Sequence, residues 1–384
     1  MSREAPAPPS RRLRRPGRAG RLLLAVGLAA GLVLAGLGTY DVIASEFGGP
    51  ILVIYTYPSL FGGGNCGAPA FATVFGDFAS AHGIRIDVVC PAGTLYGALL
   101  GQSGAPAADL VIGLDEITTP QAEASGLLVP YAPPGLVDVP ASLVAELSPD
   151  DGAVPYEYGD LAIDYNATFY NATAGAVAHL SLPEVIANAS WARNFLVEDP
   201  ATDITGEEFL VWQIEYYEHV LDRNWTTFWT EAPSGTPPLS DSWGDAFDAF
   251  SSAYDQMVVS YATDPAYAAD YGHAGAFNAT GLWWNGTDYG WQTVYGIGIV
   301  HGSRHLALDE AFENWFLSGT VQALIPTNEW EYPANETIAL PAVFADALAP
   351  ASLTALNADT TPAEVGASIA GWVAEWSAIT DGGG

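Results

Sequence analysis

The sequence predicts an α/β fold of two lobes, joined by crossing strands and separated by a cleft, behind an apolar N-terminal segment. Short runs rich in β-branched residues alternate with stretches of helical spacing, an order typical of a parallel sheet covered by helices. The length of 384 residues suggests more than one domain, at about 150 residues each. A Pro-rich stretch near 129–142 separates a first α/β unit from a second.

The N-terminus combines a basic stretch with an apolar run. Residues 1–21 hold seven of the eleven arginines, and the uncharged run 22–38 follows. Its length is close to the ~18–20 residues that span a bilayer, and arginines in front keep the chain start in the cytoplasm. We expect 22–44 to be a transmembrane anchor that holds the protein on the extracellular face of the cytoplasmic membrane. The alternative is a signal segment cleaved near Ala44, which would release a secreted protein.

The first α/β unit begins soon after this segment. The strand "ILVIYTY" leads into a Gly-rich loop with Cys66 and then the helix "PAFATVFGDFASAHG". Strands follow at 84–90 and 109–115. Because the carboxyl ends of neighbouring parallel strands lie together, Cys66 and Cys90 can meet, and in an oxidising space they could form a disulfide.

The second unit begins with a strand near Tyr158, and the last part of the chain returns to the first unit. We expect lobe I to comprise 50–153 and 271–384, and lobe II to comprise 154–270. The predicted strands are "AVPYEYGDLAIDYN", "FLVEDP", "MVVSYATDPAY" and "GWQTVYGIGIV", and the predicted helices are "GEEFLVWQIEYYEHVLD", "WGDAFDAFSSAYDQ", "LALDEAFENWFLSGTVQALI" and "TPAEVGASIAGWVAEWSAI".

The chain is strongly acidic, with 44 acids against 11 arginines and no lysine, for a formal net charge of −33. Only four arginines follow residue 21. Such a surface repels nucleic acid and anionic membranes and attracts cations. A high-salt or acidic habitat, which screens or protonates carboxylates, is the simplest explanation of the acid excess.

Asparagines in the N-x-Ser/Thr pattern are frequent in the part expected to be extracytoplasmic. One such sequon means little, but seven suggest a glycosylated surface. They are Asn166, Asn171, Asn188, Asn224, Asn278, Asn285 and Asn335.

Common catalytic motifs are absent from the sequence, and we predict no catalytic residue, metal site or cofactor. His301 and His305 stand four apart and could share a helix face as metal ligands, although surface placement is favoured. Adjacent Tyr216 and Tyr217 resemble the tyrosine pairs of ferric-ion binders, but a helix that needs apolar faces favours core packing. Cys90 could act as a nucleophile if it did not pair.

Large aromatic residues occur at strand ends and helix starts. Together with nearby acids they predict a cavity for a flat cationic ligand, since a ring face attracts a cation by ~0.5–2 kcal/mol. In "IPTNEWEYP" we expect Trp330 to line a cleft wall and Tyr332 to pack behind it. The other aromatic residues of this set are Tyr57, Trp243, Tyr261 and Tyr267.

Seven motifs occur in the order found in one family. The chain resembles the thiamine-binding proteins of ABC importers over about residues 51–376. The resemblance implies a type II periplasmic-binding-protein fold, a non-enzymatic protein whose lobes close on thiamine or a thiamine phosphate, and delivery to an importer permease and its ATPase. The motifs are "ADLVIGLD", "VPYEYGDLAIDYN", "VEDPATDITG", "SWGDAFDAF", "VVSYATDPAY", "IPTNEWEYP" and "TPAEV…GWVAEW".

The resemblance also implies a set of ligand-binding residues, and this chain differs from the family pattern at two places. Where the family has an acid after the second strand, this chain has Ala92. Where the family opens a helix with small hydroxyl and glycine residues around a phosphate, this chain has "ATDITGEEF", whose acids should oppose a pyrophosphate. We therefore expect thiamine to be preferred over thiamine pyrophosphate. The ligand residues that the resemblance implies are Tyr57, Thr202, Asp203, Trp243, Tyr261, Tyr267 and Trp330.

Two alternatives remain at the level of sequence. A receptor for another organic cation, such as a polyamine, would use the same aromatics and acids. A thiaminase-like enzyme of this fold would use a free Cys90 thiol against thiamine.

Overall fold

The structure, a computed structural model, describes residues 39–43, 49–62, 66, 68–102, 104–148, 150–170, 177, 179–231, 237–253 and 256–381. The chain divides into Met1–Gly38 and Thr39–Gly384, and every described residue lies in the second unit. Within this described part, no helix is long and apolar enough to cross a membrane. The apolar run 22–38 lies outside the described residues.

The expected anchor over 22–44 needs a correction at its C-terminal end. Thr39–Ile43 forms a β-strand that pairs antiparallel with Arg85–Cys90, from Thr39 opposite Cys90 to Ile43 opposite Ile86. A backbone that hydrogen bonds to a neighbouring strand does not continue a membrane helix. A spanning segment must therefore end before Thr39.

Fourteen strands are assigned in the described residues, and they join into one sheet. The order along its main path is β1-β3-β2-β4-β12-β6-β9-β7-β8. The strands are β1 (Thr39–Ile43), β2 (Ile51–Tyr55), β3 (Arg85–Cys90), β4 (Leu110–Leu114), β5 (Leu128–Val129), β6 (Val154–Asn166), β7 (Phe195–Glu198), β8 (Leu239–Ser240), β9 (Met257–Tyr261), β10 (Phe277–Thr280), β11 (Leu282–Trp284), β12 (Thr287–Val300), β13 (Tyr332–Pro333) and β14 (Thr354–Ala355).

The α-helices of the described part mostly follow strands, as the alternation of patterns predicts. They are α1 (Ala68–His82), α2 (Leu95–Leu100), α3 (Thr118–Ala124), α4 (Ala141–Leu147), α5 (Ala167–Tyr170), α6 (Leu182–Ala187), α7 (Ala189–Asn194), α8 (Ile204–Glu215), α9 (Thr227–Thr230), α10 (Trp243–Ser252), α11 (Asp264–Asp270), α12 (Leu306–Phe316), α13 (Gly319–Gln322), α14 (Ile325–Asn328) and α15 (Pro362–Asp381).

Two long strands connect the halves of the sheet. β6 and β12 pair antiparallel from Leu161 opposite Trp291 to Val154 opposite Ile297. The far end of β12 pairs with β4, and the far end of β6 pairs with β9. The predicted crossing strands are therefore present, within a mixed sheet that is parallel at β2, β3 and β4.

Three predicted elements differ from the structure. The predicted helix through Ile325 ends at Phe316 and resumes at Gly319, because Ser318 adopts an extended conformation. The helix beginning near Ile204 changes to a π-helical turn over Tyr216–Val220. The expected loop after β9 instead forms α11, whose first turn accommodates Pro265 because an N-terminal proline lacks only an unneeded N–H.

Separate apolar clusters lie on the two parts of the sheet. One contains Phe75 and Phe312 from α1 and α12, with ring centroids 5.5 Å apart. Another contains α8 residues and the terminal helix, where Trp376 meets Trp229 edge to face at 5.7 Å. Tyr216 and Tyr217 are fully buried in that second cluster, which confirms core packing for this pair.

Cys66 and Cys90 form a disulfide with their Cα atoms 6.1 Å apart. The bond connects the loop after β2 to the end of β3, as the strand order predicts. The alternative of a thiaminase-like enzyme using Cys90 is therefore wrong for this structure, because a disulfide sulfur is not a thiolate nucleophile.

The two histidines four apart do not share a helix face. His301 lies in the turn after β12, and His305 precedes α12. Across the described residues, no group of three or more histidine, cysteine or acidic side chains could hold a metal ion.

The sequons differ in exposure. Asn166 and Asn335 are buried, and their side-chain oxygens accept backbone N–H groups of Phe169 and Thr337, so glycans there would require local opening. Asn171 lies outside the described residues. The exposed sequons are Asn188, Asn224, Asn278 and Asn285.

Candidate ligand site

Four of the five aromatics in the expected ligand set form a continuous series. Trp330 meets Tyr267 edge to face, with ring centroids 5.5 Å apart. Tyr267 lies 6.0 Å from Phe247, which stacks on Trp243 at 5.2 Å. Trp243 lies 6.2 Å from Tyr261. The start of α10, the end of β9, α11 and the loop after α14 therefore present one aromatic surface.

The fifth aromatic, Tyr57, reaches this series through Tyr295. The rings of Tyr57 and Tyr295 lie 6.4 Å apart, and the hydroxyls of Tyr295 and Tyr261 are 2.8 Å apart. Tyr295 was not predicted. It lies inside the apolar strand β12, where the sequence pattern indicates only core packing.

Trp330 and Tyr332 have different environments, as expected. Trp330 is partly buried, lies parallel to Phe344 at 6.4 Å and contacts the exposed Tyr271 at 6.2 Å. Tyr332 is only 7% exposed and stacks on Tyr158 at 5.4 Å. Trp330 adopts a positive φ of 62° directly after α14. This left-handed residue ends the helical turn and redirects the chain between the two aromatics.

Asp203 fixes the local geometry beside Trp243. As the N-cap of α8 it accepts the N–H of Thr205 at 2.9 Å, and its other oxygen accepts the backbone N–H of Trp243 at 3.0 Å. Thr202 lies further out, where its exposed hydroxyl donates to the carbonyl of Asp241 at 3.1 Å. The structure thus brings Asp203 to the aromatic series and leaves Thr202 at the protein surface.

Two acids surround the Tyr57 hydroxyl. It lies 2.9 Å from a carboxylate oxygen of Glu329, 3.1 Å from one of Glu157 and 2.9 Å from the hydroxyl of Tyr156. The backbone N–H of Phe61 also donates to Glu329. Burial raises the pKa of Glu157, and the neighbouring Glu329 raises it further; burial likewise raises the pKa of Glu329.

A second group of acids lies at the start of α8. The Tyr295 hydroxyl donates to Glu208 at 3.0 Å. Burial raises the pKa of Glu208, and Glu116 and Asp115 raise it further. The pKa of Glu207 rises to about 8, chiefly through burial and then through Asp115. Burial therefore favours the protonated carboxyl at both positions.

Glu116 is a buried acid whose two carboxylate oxygens both accept hydrogen bonds. Its two oxygens accept the indole N–H of Trp291 at 2.7 Å and the backbone N–H of Val294 at 2.9 Å. In contrast, one oxygen of each of four site acids receives no hydrogen bond from the described residues. These acids are Asp115, Glu157, Glu207 and Glu208.

No cationic side chain among the described residues forms an ion pair with these acids. Among the described residues two ion pairs occur, Arg85 with Asp87 and His219 with Glu215, and neither includes a site acid. A buried ionised carboxylate without a partner is costly, so such a site favours either a proton or a bound cation. Aromatic faces beside the acids suit a flat organic cation.

No protein-family model matches the chain. The thiamine-binding periplasmic protein of Brucella abortus is 30% identical over 275 residues, which cover 71% of this chain and 76% of that relative. The protein of the same description from Escherichia coli is 26% identical over 339 residues, covering 87% and 94%. This chain belongs to the family of thiamine-binding periplasmic proteins.

Solved structures agree on the fold of this family member. A periplasmic thiamin binding protein superposes with a TM-score of 0.71 at 24% identity, over 88% of this chain and 99% of the other. The periplasmic binding protein AfuA from Actinobacillus pleuropneumoniae gives 0.70 at 13% identity, over 88% and 99%. Iron-bound HitA from Pseudomonas aeruginosa gives 0.63 at 17%, over 85% and 99%. The expected periplasmic-binding-protein fold is confirmed.

The sequence could have indicated more of the site than it did. Glu329 and Glu157 lie inside the motifs "IPTNEWEYP" and "VPYEYGDLAIDYN", directly beside aromatics. In a chain with 44 acids, however, no single acid stands out from the solvated ones. Phe247 follows Trp243 by four positions, a helical spacing that predicts stacking but equally predicts an apolar helix face.

Proposed function

We propose that this chain captures thiamine at the aromatic series and its adjacent acids, and delivers it to an ABC importer permease and its ATPase. The observation that carries the proposal is the combination of connected ring faces with buried carboxyl groups that pair with no cationic side chain among the described residues. Thiamine offers a flat aminopyrimidine for stacking and a permanently cationic thiazolium for ring faces and acids. Membership of a thiamine-binding family supports the same ligand.

The two lobes of this proposal are 50–153 with 271–384, and 154–270. Tyr57 and Trp330 would belong to the first lobe, and Trp243, Tyr261 and Tyr267 to the second. The terminal helix α15 belongs to the first lobe in this division, and it contacts both α3 of the first lobe and α8 of the second. Ligand contacts made with both lobes would favour the closed state, the form presented to the permease.

Thiamine itself would be preferred over thiamine pyrophosphate. The free N–H groups at the start of a helix attract anions, but Asp203, Glu207 and Glu208 occupy the start of α8. Because the pKa of Glu207 is about 8, repulsion of a pyrophosphate should grow as pH rises through that value. Discrimination against the phosphorylated ligand should therefore be stronger at pH 9 than at pH 6.

Calorimetric titrations with both ligands test this preference. At pH 9, where Glu207 has lost its proton, the Glu207→Gln and Glu208→Gln double variant should bind pyrophosphate more tightly, by about tenfold for each 1.4 kcal/mol of repulsion removed, and the gain should shrink at pH 6. Glu218→Gln, an exposed acid that follows the same helix, is the matched control. Tighter binding of pyrophosphate than of thiamine by the native chain would refute the preference.

The proposed location is extracytoplasmic, with the apolar run 22–38 as a membrane anchor. The exposed sequons Asn188, Asn224, Asn278 and Asn285 would carry glycans. Measuring the intact mass of the protein purified from membranes tests both the retention of the anchor and the glycosylation of these asparagines. A mass that lacks the N-terminal 44 residues would rule out the anchor, and the bare polypeptide mass would rule out glycosylation.

Mass spectrometry of small molecules that co-purify with the chain tests the ligand. Thiamine should be recovered in an amount comparable to that of the protein. Recovery of a polyamine such as spermidine would instead favour the receptor for another organic cation. A chain that carries neither molecule and binds neither when they are added would overturn the proposed function.

A further inference from the structure

Two buried aspartates lie in contact behind the aromatic series. Asp164 on β6 is fully buried, and Asp264, the first residue of α11, is 5% exposed. Neither oxygen of Asp164 receives a hydrogen bond from a donor group in the described part of the chain. Its neighbour is the carboxyl group of Asp264. Two ionised carboxylates side by side repel strongly, which favours a single proton shared by the pair.

Asp264 connects this pair to two residues of the ligand set. One of its oxygens accepts the hydroxyl of Ser260 and also lies 3.3 Å from the backbone N–H of Tyr261. The Ser260 oxygen in turn accepts the indole N–H of Trp243 at 2.9 Å. A serine hydroxyl has a single proton, so donating it to Asp264 leaves the oxygen lone pairs directed toward the indole.

We propose that Asp264 is a positioning residue that holds the indole of Trp243 through Ser260 and the backbone of Tyr261 directly, with Asp164 sharing the proton between the carboxyls. Asp264 lies beneath the ligand wall and acts through the two aromatics. Trp243 and Tyr261 come from α10 and β9, and this one carboxyl fixes both. The inference deepens the proposed function. It rests on that function for the measurement of thiamine affinity, but not for the measurement made without ligand.

The proposed role needs a hydrogen-bond acceptor at position 264 for Ser260 and Tyr261, and a hydrogen-bond donor between the side chains at 164 and 264. It does not need a net charge at position 264. Asparagine supplies both, because its oxygen can accept from Ser260 and Tyr261 while its amide donates to Asp164. Alanine supplies neither and leaves the Asp164 carboxyl buried and unpaired. Asp264→Asn should therefore preserve the aromatic wall, and Asp264→Ala should release it.

The ligand-free readout is the indole N–H resonance of Trp243 in the full chain labelled with ¹⁵N-tryptophan, assigned with Trp243→Phe. This N–H should exchange slowly with solvent in the native chain and in Asp264→Asn, and at least about tenfold faster in Asp264→Ala. Ser260→Ala should give the same fast exchange with the carboxyl pair intact, so the result stands even if Asp264→Ala does not fold. Asp270→Ala, an exposed acid on the same helix, should leave exchange unchanged.

Thiamine affinity gives the second readout. We expect Asp264→Asn to stay within about threefold of the native chain and Asp264→Ala and Ser260→Ala to lose about tenfold. An equal loss in Asp264→Asn and Asp264→Ala would overturn the inference, because it would assign the role to charge. Unchanged exchange in Ser260→Ala would also overturn it. If the native chain binds no thiamine, the proposed function fails, while the indole exchange still decides the positioning role.

Discussion

At the scale of single residues, Trp330 occupies the outer end of the aromatic series. It contacts Tyr267, Tyr271 and Phe344, yet remains partly exposed. Tyr332, two positions later, is buried against Tyr158 and supports the wall from behind. The left-handed backbone at Trp330 makes this division of roles possible between near neighbours in the chain.

Replacing Trp330 by alanine should weaken thiamine binding at least about tenfold, since a desolvated ring face contributes ~2 kcal/mol toward a cation. The fold should be preserved, because Trp330 is only partly buried. Fluorescence titration measures the affinity, and circular dichroism checks the fold. Phe169→Ala removes an aromatic ring that is 53% exposed and lies outside the series, and it should have no effect. Equal affinity in Trp330→Ala and the native chain would refute the assignment.

The single residues that sequence reasoning found are those in conspicuous local patterns. Trp243 and Trp330 follow cap residues, and Tyr261 ends a strand, positions at which a large ring is conspicuous in the sequence. Tyr295 was missed because a tyrosine inside an apolar strand is indistinguishable from core. Asp264 was missed because its proposed role depends on Ser260, which accepts the indole N–H of Trp243 from a different element.

At the scale of elements, the disulfide secures the loop between β2 and α1 to the end of β3. This loop includes Tyr57 and Phe61, and the backbone N–H of Phe61 donates to Glu329. The bond closes a sequence separation of 24 residues, a loop whose closure reduces the conformational freedom of the unfolded chain.

The Cys66→Ala and Cys90→Ala double variant should lower the free energy of unfolding by about 2–4 kcal/mol, measured by chemical denaturation. Replacing both cysteines avoids leaving one free thiol. A thiol reagent should not modify the native chain before reduction. Native reactivity, or a double variant as stable as the native chain, would contradict this role.

Periodicity predicted most elements, and the exceptions have local physical causes. The break at Ser318 and the helix beginning at Asp264 depend on capping and proline geometry over two or three residues. The strand Thr39–Ile43 was missed because its residues were included in the anchor expected over 22–44. Its pairing with β3 depends on a partner strand more than forty residues later, which local composition does not reveal.

At the scale of the whole molecule, the dominant property is a set of buried acids that form no ion pair within the described part of the chain. Burial raises the pKa of Asp160 to about 7 and that of Glu207 to about 8. These folded-state pKa values exceed the unfolded-state values. At any pH between the two values, the folded chain therefore binds more protons than the unfolded chain does. The contribution to stability is complete below the unfolded pKa and is lost as pH rises through the folded pKa.

The free energy of unfolding of the ligand-free chain should therefore fall as pH rises from about 4 to about 8, by roughly 1.4 kcal/mol per pH unit for each proton released. Denaturation at a series of pH values measures this slope. Glu207→Gln should reduce it, because a neutral amide does not titrate. A stability that rises over the same interval would contradict the proposed state of these acids.

Thiamine affinity should follow the opposite trend. A cation favours the ionised carboxylates, so its binding should strengthen over the interval in which the ligand-free chain loses stability. If stability and thiamine affinity change with pH in opposite directions, the titrating acids contribute to ligand binding and not only to the stability of the fold. Parallel slopes in titrations at pH 5, 6, 7 and 8 would contradict a role for the acids in binding.

The most direct test of the central claim is a calorimetric titration of thiamine into the full native chain at high salt, with Trp330→Ala titrated in parallel. We predict saturable binding at one site in the native chain and at least about tenfold weaker binding in the variant. No saturable heat from the native chain up to ~1 mM thiamine, or equal binding by both chains, would contradict the claim that this aromatic and acidic site receives thiamine.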